Sequence, residues 1–514
     1  MTINLRGKKL CWTLAIILAA GPLTAAEPTT KPAPGRIRLT ISKKTTYILG
    51  PVNKDGTVNY AAYLNAKHSE GVTKENNAAI PLIEILGAVL LKEDTDGKIC
   101  KALKIKPPAK GKEYFISLQD YLKKTLSAKD ANAWMDRDHG PTMSCPKPWS
   151  AERYPVAAKW LKTNDGVLIA TLVAMKRTEC YIPAISPDPD NSVMKILRPS
   201  ILPYMHLSYA LVARAMLRLD SGDTYGAWAD LMATRRLARR IGAGMWLPEG
   251  LIALAIESRA CAACCALAGD RRLTRAEAGA FLSDMQRLSP PPELVKMFDQ
   301  SERFLLLDGV MTLARVTNRN DAGFRKWDEM LMIINPWFDS FVSAAGKKTF
   351  KARTEAFAAY NSGQEERESQ AVKLRSLNQL LWKHVNPPDA DKNKKAMARL
   401  MSALLGDDLV PQPMGICSRA FELRDRAAAH GDLSVVAMAL AAYRAEKKAY
   451  PDKLSQLAPD YLKKVPDDLF IDEPFGYEKT GKGYLLYSVG ENMKYDGPKK
   501  DDDDKIDDIV VRVE

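Results

Sequence analysis

The run DLSVVAMALAAYRAEKKAYP (residues 432–451) decides how the C-terminal part of this chain folds. Its apolar residues recur at helical spacing, and a proline cannot continue a helix, so the run predicts a helix that ends just before Pro451. Further along, TGKG (480–483) separates the apolar runs 475–477 and 484–489, which is typical of a β-hairpin. A last apolar run at 509–513 predicts a closing strand. We therefore predict a small α+β domain with an antiparallel sheet over residues 432–514.

Four pieces of this domain resemble the periplasmic domain of the major pseudopilin of type II secretion systems. They are YRAEKKAYP (443–451), LSQLAPDYLKKVPDD (454–468), YLLYSVG (484–490) and DDI (507–509). The resemblance covers about one sixth of the 514 residues. It implies a pseudopilin-like fold for the tail and says little about the function of the whole chain.

The same resemblance implies a calcium ion in the loop between the last two strands. Carried over residue by residue, its ligands are the carbonyl of Val489, the side chain of Asn492, and Asp507 with Asp508. Two departures from the family pattern matter. Asn492 is neutral where the family has an aspartate, and the loop is longer, with Asp496 and the run 501–504 as competing acidic ligands. The alternative is a solvated acidic loop without metal.

The first 26 residues have the pattern of a secretory signal peptide. Three basic residues precede a short apolar run, and TAA (24–26) offers small residues for cleavage before Glu27. We therefore expect an exported protein, periplasmic or extracellular, with no transmembrane segment in the mature chain. The alternative is an uncleaved N-terminal anchor. The proline-rich stretch 27–36 that follows reads as a tether.

The charge balance bears on the class of partner. The whole chain carries a net charge of +13, and loss of the signal peptide with its three basic residues leaves +10. This excess permits contact with an anionic envelope polymer, and a protein partner is equally compatible with it. Export argues against nucleic acid as a partner, and no aromatic residues interleave with the basic ones in the manner of a nucleic-acid interface.

Most of the remaining chain predicts helices. Residues 37–182 indicate an N-terminal, mostly helical domain that opens with an alternating strand over 37–49, and residues 191–430 indicate a helical-hairpin domain. Helices are predicted over 204–219, 223–240, 247–267, 274–288 and 293–316, with short turns between them. Their small and large residues alternate in a style like that of TPR helix pairs. The fold class is thus mainly α, with antiparallel helical hairpins and the small α+β tail.

Two further stretches are similar to a family of large exported bacterial proteins that have no known activity and carry a pseudopilin-like tail. They are DGTVNYAAYLN (55–65) and PWSAERYPVAAKWLKTNDGVLIATLVAMKR (148–177). This resemblance would cover most of the chain, but it implies no catalytic residue and no chemistry. In the absence of a recognisable catalytic motif we expect a role in binding or scaffolding within the cell envelope.

Charged residues inside the predicted helices offer two candidate sites. Arg235, Arg236, Arg239 and Arg240 form a stripe that could bind an anionic partner or could pair with nearby acids. Glu249 and Glu257 lie eight residues apart in an apolar helix, so they share a face and could serve as general acid and base. The other possibility is that such a carboxylate pairs with an arginine of the preceding helix, such as Arg239. An envelope hydrolase is therefore the alternative function.

Seven cysteines follow the signal peptide, an odd number that leaves at least one thiol outside a disulfide. Cys261, Cys264 and Cys265 fall in an apolar helical run without a histidine beside them. We predict that these three are small buried core residues, with disulfides or a metal site as alternatives. No histidine doublet, nucleophile elbow, phosphate-binding loop or dinucleotide fingerprint occurs in the sequence.

Overall fold

The computed structural model describes residues 39–94, 96–109, 111–137, 146–187, 191–317, 327–362, 413–497 and 507–514. The predicted signal peptide, the tether and the acidic run 501–504 lie outside these ranges. Within them the protein is mainly helical with a small antiparallel sheet near the C-terminus, as the sequence predicts.

The N-terminal region consists of short helices joined by turns. They are α1 (Tyr60–His68), α2 (Ala79–Leu86), α3 (Lys98–Ala102), α4 (Leu118–Thr125), α5 (Ala128–Arg137), α6 (Pro155–Thr163) and α7 (Asp165–Ala174). Local chemistry sets their ends. Asn59 caps α1 by accepting a hydrogen bond from the backbone N–H of Ala62, and Ser117 does the same for α4 through Asp120.

The strand predicted over 37–49 is wrong for the part that the structure describes, 39–49, which forms turns and bends. The carbonyl of Ser42 accepts hydrogen bonds from the backbone N–H of Thr46 at 2.8 Å and from its hydroxyl at 3.0 Å. Hydroxyl side chains that bond to nearby backbone groups compete with a strand ladder. The alternation of apolar residues therefore did not decide the local structure.

Long helices follow, close to the predicted ranges. They are α8 (Leu202–Asp220), α9 (Thr224–Gly242), α10 (Leu247–Ala268) and α11 (Arg275–Gln286). Asp223 caps α9, and a reciprocal pair of hydrogen bonds between Thr274 and Glu277 starts α11. Helix α8 packs against α9, and α9 against α10.

A second helical block continues the chain. Helix α12 (Leu294–Met297) passes through a π-helical turn (Phe298–Glu302) into α13 (Arg303–Thr317), and α14 (Trp327–Ala345) and α15 (Phe350–Ser362) follow. The longest of the described helices, α16 (Pro413–Lys447), includes residues 432–447, whose apolar spacing predicts a helix. It packs along α10 and α11 and contacts the C-terminal sheet.

Among the described residues, α10 is the one helix long and apolar enough to cross a membrane. In the structure 61% of its most apolar window is buried, because α9 and α16 pack against it. Helix α10 is thus the central helix of the bundle.

The C-terminal sheet matches the prediction. Strands β3 (Gly476–Thr480), β4 (Gly483–Ser488) and β5 (Ile509–Val513) form an antiparallel sheet in that order, and β1 (Asp467–Asp468) pairs with β2 (Glu473–Pro474). Ser488 pairs with Ile509, so the end of β4 lies beside the start of β5. This register brings together the two ends of the acidic loop.

One buried cluster joins regions that the sequence assigns to three domains. It includes Leu82 near the N-terminus, Leu211 in the helical hairpins and Leu486 in the sheet. Helix α16 also runs without a break across residues 430–432, where the sequence predicts a boundary. The tail and the helical bundle therefore share both an element and a core.

Candidate functional site

The predicted calcium loop starts at Gly490, a position that no other residue type can occupy without strain. Gly490 has a φ of +68°, and a Cβ added to it would lie 2.6 Å from the carbonyl oxygen of Asp507. The left-handed conformation and the close approach both favour glycine. The chain just after β4 therefore lies directly against Asp507, two residues before β5.

Asp507 and Asp508 each use one carboxylate oxygen to hold the opposite side of the loop. Oδ2 of Asp507 accepts a hydrogen bond from the backbone N–H of Asn492 at 2.9 Å. Oδ2 of Asp508 accepts hydrogen bonds from the backbone N–H groups of Asp496 at 2.9 Å and Gly497 at 3.0 Å. The two aspartates thus fix the backbone of the loop between residues 492 and 497.

The second oxygen of each aspartate is different. Oδ1 of Asp507 and Oδ1 of Asp508 are buried and have no hydrogen-bond partner among the described residues. Burial raises the pKa of Asp508, and the nearby carboxylates of Asp496 and Asp507 add to this rise. Buried carboxylate oxygens that lack a donor are costly, and a cation between them would offset that cost.

Asn492 lies within the same cluster. Its Oδ1 accepts a hydrogen bond from the backbone N–H of Lys494 at 2.8 Å, and its Nδ2 donates to Oδ2 of Asp496. The neutral side chain therefore touches Asp496, the nearest of the competing acidic ligands. The sequence alone predicts both residues as candidates, and the structure brings them together with Asp507 and Asp508.

Val489, the fourth predicted ligand, is held by a residue that the sequence analysis misses. Its backbone N–H donates to Oδ2 of Asp468 at 2.9 Å. Oδ1 of Asp468 accepts hydrogen bonds from the hydroxyl of Ser488 at 2.9 Å and from the backbone N–H of Phe470 at 3.2 Å. This buried aspartate fixes the last residues of β4. Nothing in the sequence around Asp468, which lies in a polar segment, indicates that it fixes this strand.

Arg426, on helix α16, is a second residue that the sequence analysis misses. Its Nη1 donates to the backbone carbonyl of Asp507 at 2.7 Å and lies 3.7 Å from Oε1 of Glu491. Burial raises the pKa of Glu491 against the opposing effect of Arg426, and Glu422 and Asp507 add to the rise. Helix α16 thus contacts both sides of the loop.

The residues of this loop offer the types of oxygen ligand that calcium prefers. Calcium takes hard oxygen ligands from carboxylates, amide carbonyls and the backbone, and this loop supplies all three types. Within the described ranges, however, no group of three or more His, Cys, Asp or Glu side chains is arranged to hold a metal ion. A site here would therefore depend on Asn492 and the carbonyl of Val489 as well as on the two aspartates.

The arginine stripe on α9 has mostly internal partners. Arg235 and Arg239 both donate to Oε1 of Glu257, with closest distances of 2.7 and 2.9 Å, and Arg240 donates to the carbonyl of Arg177 at 2.7 Å. Glu257 therefore pairs with arginines of the preceding helix, Arg239 among them, which is the alternative that the sequence raised. Arg236 is half-buried.

Glu249 does not share a cleft with Glu257. It accepts a hydrogen bond from the backbone N–H of Trp246 at 3.1 Å and lines a small cavity of about 30 Å³. Burial raises its pKa to about 7, against the effect of the Trp246 hydrogen bond and of Arg198. The cavity is lined by His68, Cys180, Tyr204, Arg240, Trp246 and Glu249, among others. Its volume suits about two water molecules.

Cys261, Cys264 and Cys265 are buried thiols of the core of α10, as predicted. Burial raises the pKa of Cys264 to about 11, so this thiol stays protonated and unreactive near neutral pH. Cys100 and Cys180 are also thiols rather than disulfides in the part of the chain that the structure describes.

Comparisons with protein-family models, with curated proteins and with solved structures found no match for this chain.

Proposed function

We propose that this chain is an exported cell-envelope protein with a binding or scaffolding role, whose C-terminal domain is stabilised by calcium. The observation that carries the calcium part of the proposal is the pair of buried oxygens on Asp507 and Asp508 that have no hydrogen-bond partner among the described residues. The proposal includes the finer fold assignments as well: a pseudopilin-like tail and TPR-like packing of the helical hairpins. The partner would be a protein or an anionic envelope polymer.

In this proposal Asp507, Asp508, Asn492 and the carbonyl of Val489 hold the ion, with Asp496 as a further oxygen donor. Bound calcium would supply the positive charge that the crowded carboxylates lack. The chain itself does the rest: Asp507 and Asp508 already fix the loop backbone through their other oxygens. A loop ordered in this way presents a fixed surface next to the sheet, which suits a scaffold or a binding surface.

Thermal unfolding of the full chain tests the calcium site. A ligand that binds only the folded state stabilises it by about 2.7 kcal/mol at one hundred times its dissociation constant. The melting temperature should therefore rise with millimolar calcium and rise less with magnesium, which tolerates irregular oxygen cages poorly. An unchanged melting temperature after addition of calcium or of chelator would show that the loop is only a solvated acidic run.

Two double variants separate ligand loss from charge loss. Asp507→Asn with Asp508→Asn should abolish the calcium-dependent rise. Asp452→Asn with Asp460→Asn also removes two negative charges, from exposed positions in the same part of the chain, and should leave the rise intact. An equal loss in both double variants would mean that calcium acts through general charge screening.

Export has a direct test. The chain expressed in a Gram-negative host should be recovered from the periplasm or medium, with an N-terminus close to Glu27. A full-length chain beginning at Met1 in the cytosolic fraction would rule out the proposed localisation. Co-purification from the envelope fraction after crosslinking would then separate a protein partner from an anionic polymer.

The second candidate function is an envelope hydrolase in the helical body. The cavity beside Glu249 favours it, because a buried carboxyl group with a pKa of about 7 suits a general acid. The small size of the cavity argues against a hydrolase, since substrate pockets measure about 300–1,000 Å³. Release of soluble fragments from cell-wall preparations by the wild type, and its loss in Glu249→Gln, would favour the hydrolase over the scaffold.

A further inference from the structure

One guanidinium joins helix α16 to both sides of the acidic loop. Nη1 of Arg426 donates to the backbone carbonyl of Asp507 at 2.7 Å and lies 3.7 Å from the carboxylate of Glu491. Glu491 follows β4 and Asp507 precedes β5, so these contacts span the start and the end of the loop. The Arg426 side chain is 17% exposed, so it is largely shielded from solvent.

The carbonyl contact restricts a residue that is central to the proposed ion site. Asp507 is held at two atoms: Arg426 donates to its backbone carbonyl, and its Oδ2 accepts a hydrogen bond from the backbone N–H of Asn492. Gly490 lies close to the same carbonyl and carboxylate, with no room for a Cβ between them. With these atoms fixed, Oδ1 has a defined position and no partner among the described residues. A ligand atom that is already in position adds less ordering cost to binding.

The positive charge of Arg426 should weaken calcium binding, whereas its contact with the Asp507 carbonyl should strengthen it. A guanidinium close to a cation site repels the ion, so its removal would strengthen binding if charge were its only effect. Loss of the contact with the Asp507 carbonyl would instead weaken binding, because the loop would have to order as the ion enters. The two effects differ in sign, and a measured affinity can therefore distinguish them.

We propose that Arg426 is a positioning residue of the C-terminal calcium site and that it couples the site to helix α16. This inference rests on the proposed function, because it assumes that the loop binds calcium. Arg426 does not touch the ion. It fixes the backbone of Asp507 from a helix that packs along α10 and α11, so ordering of the loop also stabilises the C-terminal half of the helical bundle.

Calcium titration of the full chain by calorimetry tests the inference. Arg426→Gln should weaken calcium binding about tenfold, the lower end of the effect seen when residues that orient metal ligands are lost. Arg426→Lys keeps the charge and can reach only one partner, so a weakening of about threefold is expected. The matched control is Arg512→Gln, which removes an exposed arginine from β5 and should change the affinity less than twofold.

The outcomes separate the two proposals. If the wild type does not bind calcium, the proposed function fails and Arg426 positions no site. If the wild type binds and Arg426→Gln binds equally or more tightly, the calcium site stands and the positioning role is wrong. Circular dichroism in chelator verifies that Arg426→Gln is folded; if it is not, Arg426→Lys decides in its place, and an affinity equal to that of the wild type overturns the inference.

The coupling to α16 has a separate measurement. Hydrogen exchange of the full chain should slow in α16 on addition of calcium in the wild type and in Arg512→Gln. In Arg426→Gln, at saturating calcium, the slowing should be confined to the loop and the sheet. Equal slowing of α16 in all three proteins would show that the ion acts on this helix by another route, and the coupling would be wrong.

Discussion

Arg235 and Glu257 form a buried ion pair in the centre of the helical bundle, with Nη2 and Nε of the arginine 2.7 and 3.0 Å from the same carboxylate oxygen. Arg239 donates to that oxygen as well, at 2.9 Å. The exposed fractions of the Arg235 and Glu257 side chains are only 4% and 3%. The pair therefore links α9 to α10 away from water, where an unmatched charge is expensive.

Replacing Glu257 by alanine should strongly destabilise the protein. The change leaves two arginines without their carboxylate, and loss of one partner of a buried ion pair costs about 3–5 kcal/mol. Urea unfolding monitored by circular dichroism measures this free energy. Glu293→Ala, which breaks an exposed pair with Lys296, is the control and should cost less than about 1 kcal/mol. Similar losses in both variants would mean that the burial of Glu257 has no energetic consequence.

Sequence reasoning anticipated half of this arrangement. A carboxylate inside a helical bundle often pairs with an arginine of the preceding helix, and this tendency suggested Arg239 as a partner of Glu257. It did not suggest that Arg235 would be buried. Helix α16 packs against α10 but comes far later in the chain. Helical periodicity shows which face of a helix is apolar, but it does not show which distant helix covers that face.

Removal of the Asp468 side chain should loosen the end of β4. Asp468→Ala leaves three donors without an acceptor, the Ser488 hydroxyl and the backbone N–H groups of Phe470 and Val489. Burial raises the pKa of Asp468, so its ionised form carries a cost, but three unpaired donors outweigh it. We expect a loss of about 2–3 kcal/mol in the free energy of unfolding.

The neighbouring aspartate provides the control for that variant. Asp467 pairs with Lys464 at the surface, so Asp467→Ala should change the free energy of unfolding by less than about 1 kcal/mol. Chemical denaturation of the two variants in parallel gives the comparison. A loss for Asp468→Ala no larger than for Asp467→Ala would show that its three hydrogen bonds contribute little.

Gly490→Ala should destabilise both the sheet and the calcium response. A left-handed non-glycine residue costs about 1 kcal/mol, and the added Cβ would also approach the Asp507 carbonyl at 2.6 Å. Gly481→Ala, in the hairpin between β3 and β4, meets nothing within 4 Å and is the matched control. Thermal melts with calcium and with chelator separate the loss of stability from the loss of binding. A melt of Gly490→Ala like that of the wild type would contradict the close approach.

The candidate site was only partly visible in the sequence. The resemblance to the pseudopilin domain suggested Val489, Asn492, Asp507 and Asp508 as ligands, and the register of β4 and β5 brings the two ends of their loop together. The supporting residues were not found, because they act across long separations: Arg426 and Asp507 are 81 positions apart in the sequence. Nothing in the spacing of a lone arginine on a helix indicates which carbonyl it will bind.

Two glutamates occupy the same place in neighbouring helices and have opposite pKa shifts. Glu249 lies in the first turn of α10, where burial raises its pKa from 4.5 to about 7. Glu277 lies in the first turn of α11. Burial would raise its pKa too, but hydrogen bonds from Thr224 and Thr274 outweigh burial and lower it. The pair therefore offers an internal comparison of how each carboxylate contributes to stability.

The sign of the pH dependence follows from these shifts. Between pH 4.5 and 7 the folded protein holds a proton on Glu249 that the unfolded chain releases, so its contribution to stability falls as the pH rises. Relative to wild type, Glu249→Gln should gain about 1–3 kcal/mol between pH 4.5 and 7.5. Glu277→Gln should be less stable than wild type at pH 7, with the gap closing as the pH falls. Urea unfolding across this range measures both differences, and parallel trends in the two variants would show that burial of Glu249 does not control its ionisation.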